Sequence, residues 1–128
     1  MEFEHERLDV YRTSIELLVL ADLVAGKLPK GRAYLADQLR RAATSIPLNV
    51  AEGVGEFAPG DKARFDRIAR RSATECAAIL DAANRLELAD VHGIAVARDR
   101  LLRIVAMLTA MVLKLSGSGS GSGSGSDM

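Results

Sequence analysis

Apolar residues return at three- and four-residue steps over four stretches of the chain, the period of a helix face laid against a core. In the first, from Glu6 to Ala25, Leu8, Tyr11, Ile15 and Leu18 hold that spacing. Gly26 as a left-handed cap and Pro29 beyond it predict a stop and a loop from Gly26 to Arg32. Leu17, Val19, Leu20, Leu23 and Val24 widen the apolar arc past what one buried stripe needs. Either the arc packs on two sides within the protomer, or part of it is an interface, with Leu17, Leu20, Leu23 and Val24 as candidates.

The second helix is predicted from Ala33 to Val54, with Leu35, Leu39, Ala42, Ile46 and Val50 on one side and a kink near Ala43 imposed by Pro47. Gly53 and Gly55 end it. The third starts near Pro59, a residue suited to a first helical position, with Asp61 close behind at the positive end of the dipole. Phe65, Ile68, Ala69, Ser72, Cys76, Ile79, Ala83 and Leu86 fall within about 100° on its wheel. After a break from Ala89 to Gly93, with Asp90 as N-cap, the fourth helix carries Ile94, Leu101, Ile104, Val105, Leu108, Met111, Val112 and Leu115. Short connections favour antiparallel neighbours, hence an all-α, up-down-up-down four-helix bundle over residues 5–115. Residues 116–128, an alternation of Ser and Gly closed by Asp127 and Met128, read as an engineered flexible linker outside the core.

Composition narrows the chemistry. Of 128 residues, 48% are hydrophobic, only 4% are aromatic and none is Trp, so the core is built from Leu, Ile, Val, Ala and Met. Seventeen basic and seventeen acidic side chains leave no net charge, which removes the generic argument for nucleic acid and leaves only local patches. Cys76 is alone and excludes an internal disulfide; with no leader pattern ahead of the first helix, the expectation is a cytoplasmic protein. No apolar run reaches the roughly 18 residues of a membrane span.

Enzyme signatures are weak, and neither catalytic residues nor a cofactor is expected. Glu52 and Glu75 are a conceivable carboxylate pair, but a bundle metal site needs Glu-x-x-His on inward faces, and His5 and His92 stand at helix starts. Cys76 lies on a core stripe, where a thiol acts as a small hydrophobe. Gly53-x-Gly55 follows a helix rather than a strand and is no phosphate fingerprint.

Two polar patterns remain. On the second helix Gln38, Arg41, Ser45, Asn49 and Glu52 fall within roughly 80° beside the core stripe, and Ser72 and Glu75 of the third match their spacing. The set forms either a binding site or a buried hydrogen-bond network that fixes register, with Arg41 neutralised by Glu52 or Glu75. On the third helix Arg64, Arg67 and Arg71 share an outer stripe, with Arg70 near and Arg40 on the second helix. They are phosphate contacts or simply a solvated face, since Asp61, Asp66 and Glu75 are interspersed and no aromatic platform accompanies them.

The run from Leu35 to Gly53, LADQLRRAATSIPLNVAEG, resembles the four-helix bundle family of 23S ribosomal RNA intervening-sequence proteins. The family pattern falls on Gln38, Arg41, Ala42, Ser45, Asn49, Val50, Ala51, Glu52 and Gly53, and its second block on Phe65, Ala69, Ser72 and Glu75. The resemblance implies a four-helix protomer, homopentameric rings, no catalytic activity and a link to RNA. A branch similar in fold is the accessory protein of diversity-generating retroelements, which partners a reverse transcriptase and its template RNA. That branch is strongly basic, whereas this chain is neutral and carries Val54-Gly55-Glu56 where relatives often place a base. The expected function is a non-enzymatic homo-oligomeric bundle protein suited to use as a scaffold or fusion component. The alternative is an RNA- or reverse-transcriptase-binding accessory factor acting through Arg40, Arg64, Arg67 and Arg71.

Overall fold

Four helices follow the four periodic stretches in a computed structural model that describes residues 1–120. A turn of 3-10 helix at Glu4–Arg7 leads into α1 (Asp9–Lys27), and a second at Lys30–Arg32 into α2 (Ala33–Val54). α3 spans Pro59–Arg85 and α4 Val91–Ser120. There is no strand among the described residues. Each helix packs on the next and α4 closes back on α1, so the four surround one core. Leu17, Leu39, Ile46, Val50, Cys76, Leu80, Leu101, Ile104 and Leu108 sit at its centre without meaningful exposure. Each large aliphatic among them contributes about 1.5–3 kcal/mol by leaving water. Among the described residues no helix is long and apolar enough to cross a membrane.

Helix ends depart from the sequence expectation in instructive ways. No described glycine has positive φ. Gly26 lies inside α1, which ends instead at Lys27 because Leu28 turns extended ahead of Pro29. Gly53 lies buried within α2 rather than after it. A Cβ there would stand 3.2 Å from the Phe65 Cβ and 3.3 Å from the Lys62 carbonyl, so this glycine lets α3 approach. α2 itself continues through Pro47 to Val54. The left-handed cap appears where no glycine marks it: Glu87, with φ 57°, closes α3 as the Leu88 amide donates to the Ala83 carbonyl at 2.9 Å. Leu86, expected in the core stripe, is thereby turned outward and is 47% exposed.

α4 runs to Ser120, past the expected end of the bundle at Leu115. Once a helix is nucleated each further residue adds a backbone hydrogen bond, which carries it into the Ser/Gly stretch. The rest of the expected linker, residues 121–128, lies outside the described residues.

The wide apolar arc of α1 divides. Leu17 and Val24 belong to the protomer core and cannot form an outer interface, and Leu20 is half-buried against that core. Leu23 is exposed and joins Val19 and Ile15 in a row at four-residue spacing directly opposite the core face. Ion pairs flank the row: Arg40 Nε to Asp22 Oδ1 on the α2 side and Arg100 Nε to Glu16 Oε1 on the α4 side, both 2.9 Å.

Candidate functional site

The polar stripe of α2 meets α3 through two serines. Ser45 Oγ and Ser72 Oγ share a hydrogen bond of 2.8 Å. Asn49 Nδ2 donates to Ser45 Oγ at 3.0 Å and to the Ser45 carbonyl at 2.8 Å. Ser45 and Asn49 are half-buried and Ser72 is buried. These three hydrogen-bond to one another across the seam between α2 and α3.

The longer polar and charged members of the stripe stay outside. Gln38, Arg41 and Glu75 are exposed and line one shallow depression with Ser45 and Ser72. Among the described residues Arg41 makes no ion pair with Glu52 or Glu75, so the expected neutralisation does not occur; both acids remain at the surface, where water solvates them. Glu52 stands apart from the depression. Below the network Cys76 is fully buried, and burial, with help from Glu75, pushes its thiol up to about 12. A thiol held protonated is no nucleophile.

Two further depressions adjoin the first through shared residues. One is lined by Arg40, Arg41, Thr44, Ser45, Leu48 and Asn49, the other by Arg67, Arg70, Arg71, Thr74 and Glu75. Together they make a polar, arginine-rich band across the α2–α3 seam. Its arginines are not equivalent. Arg40 is held by Asp22, Arg70 donates to Thr109 Oγ1 at 2.8 Å, and Arg64 lies over the Phe65 ring at 4.4 Å, away from the lining of all three depressions. Arg67 and Arg71 keep guanidinium groups with no hydrogen bond or ion pair among the described residues. Arg70, placed near the arginine stripe from the sequence, does line this surface, and Thr74 and Leu48, which the sequence reading did not single out, line it as well.

A second constellation lies at the end of the bundle. Gly53 and Val54 of α2, Lys62 and Asp66 of α3, and Met111, Lys114 and Leu115 of α4 line an open pocket of about 260 Å³. Asp66 is only 3% exposed, yet its carboxylate has no hydrogen-bond or ion-pair partner among the described residues. Burial raises its pKa to about 6 against the opposing charge of Lys62. The Lys62 ammonium points elsewhere, to the Val54 carbonyl at 3.1 Å and the Gly53 carbonyl at 3.4 Å. Asp66 had been read as one of the acids dispersed in a solvated stripe. Its phase, three residues before Ala69 and ten before Cys76, places it on the core side and was the available signal.

Among the described residues no three His, Cys, Asp or Glu side chains group to hold a metal ion. No curated protein matches the chain. Residues 6–110, which contain the whole α2–α3 seam, match the family described as 23S rRNA-intervening sequence protein, and with most of its length covered and four helices in place the chain belongs to that family.

Proposed function

We propose that this chain is a non-enzymatic, homo-oligomeric bundle protein whose protomers meet through the outer face of α1. The observation that carries this reading is the row Ile15, Val19 and Leu23, 36%, 56% and 57% exposed, aligned opposite the core and bracketed by ion pairs that leave it open. A contiguous apolar row rimmed by charges has the anatomy of a protein interface. A ring of the kind the family resemblance implies needs such a face on each protomer, and this row offers one. The inert Cys76 and the solvated positions of Glu52 and Glu75 support the absence of catalysis. A bundle with its α4 end directed into a Ser/Gly stretch suits service as a scaffold or fusion component. Solution mass, measured with and without charge placed on the row, tests the reading: Val19→Glu with Leu23→Glu yields folded monomers if it holds.

The arginine-rich band favours a second reading, an accessory factor that binds RNA or a reverse transcriptase. Arg67 and Arg71, unpaired beside Arg70 and Thr74, are the groups a phosphate would meet. Such binding weakens linearly with the logarithm of salt, by nearly one unit of slope per phosphate contacted.

A further inference from the structure

We infer that the cavity between the ends of α2 and α4 is a binding site for a small primary ammonium with a short aliphatic body, its N–H groups donating to the Asp66 carboxylate. Asp66 is 3% exposed, and its carboxylate has no hydrogen-bond or ion-pair partner among the described residues. Among the described residues no side-chain oxygen sealed from solvent is left without a hydrogen bond. The residual opening of Asp66 is therefore onto the cavity it lines. A carboxylate so placed is costly to the fold unless something donates to it.

The groups present do not fill that role. Lys62, one turn before Asp66, spends its ammonium on the carbonyls of Gly53 and Val54, where it also answers the negative end of the α2 dipole. Lys114 is exposed on α4, where water screens it. α2 contributes only backbone and the Val54 side chain. What is left is one anionic acceptor beside Val54, Met111 and Leu115 as an apolar wall, in a pocket of about 260 Å³ that Lys62 and Lys114 also line. That combination matches an alkylammonium. An alcohol lacks the charge, and a carboxylate would be repelled by Asp66.

The test is an amide-resolved NMR titration of the full chain with n-butylammonium, with n-butanol and n-butyrate as controls at equal ionic strength. Saturable shifts are expected at Gly53, Met111 and Leu115 with butylammonium only. Affinity falls about tenfold between pH of about 7.5 and about 5, as the Asp66 carboxyl takes up its proton. Asp66→Asn keeps the shape, leaves the fold intact by circular dichroism, and abolishes the shifts. Three results overturn the proposal: retained binding in Asp66→Asn; butyrate moving the same amides, which makes this an anion site of the two lysines; or no saturation, with Lys62 closing on Asp66 instead.

Discussion

Asp66 and Glu87 are the two residues whose local physics runs against the fold around them. With its pKa raised from 3.8 to about 6, Asp66 holds its proton more tightly folded than unfolded. Its favourable contribution is full below pH of about 3.8 and is lost as pH rises through about 6, beyond which a buried charge burdens the native state by about 2–3 kcal/mol. Asp66→Asn is therefore expected to raise the urea-unfolding free energy near neutral pH by about 1–3 kcal/mol and to change little near pH 4. An equal loss at both values would contradict the assignment. Glu87 adopts the left-handed conformation that glycine takes without steric cost. Glu87→Gly should stabilise the protein by about 1 kcal/mol, read as a higher urea midpoint at unchanged slope.

At the scale of elements, α2 was legible from its apolar phase as a helix of about Ala33 to Val54, although Gly53, expected to end it, lies inside. The start of α3 at Pro59 was legible for the same reason. Its end was not: a non-glycine residue in the left-handed cap has no sequence signature, so Leu86 was assigned to the core. The polar stripe was legible as a set of residues on one side of a helix, but helical phase does not reveal depth. Ser45, Asn49 and Ser72 lie within the seam, whereas Gln38, Arg41 and Glu75 rim it, because short polar side chains fit between packed helices and longer polar or charged ones reach water. Asn49→Ala removes two donated hydrogen bonds and should cost about 1–2 kcal/mol, and Ser72→Ala about 1 kcal/mol. One of the Asn49 bonds and the Ser72 bond meet at Ser45 Oγ, so the double variant should deviate from the sum by at least about 0.5 kcal/mol in a denaturation cycle. Strict additivity would mean that the three groups do not act as one network.

For the whole molecule, the sequence announced more apolar surface on α1 than one core face can use, without saying which residues were spare. Three-dimensional packing makes the division: Leu17 and Val24 go inward, Ile15, Val19 and Leu23 remain outside, and Asp22–Arg40 and Glu16–Arg100 hold the neighbouring helices on either side of the row. Zero net charge with an apolar outer row favours association through burial rather than through long-range electrostatics. Such an assembly is insensitive to salt, whereas contact of Arg67 and Arg71 with RNA is not.

Light scattering of the full chain at low and high salt, beside the Val19→Glu and Leu23→Glu double variant, tests the central claim most directly. A five-chain mass is expected at both salt concentrations, unchanged by RNA, with a monomer of undiminished helical circular dichroism for the variant. A wild-type protein that is monomeric at both concentrations, or a double variant that assembles as well as the wild type, would contradict it.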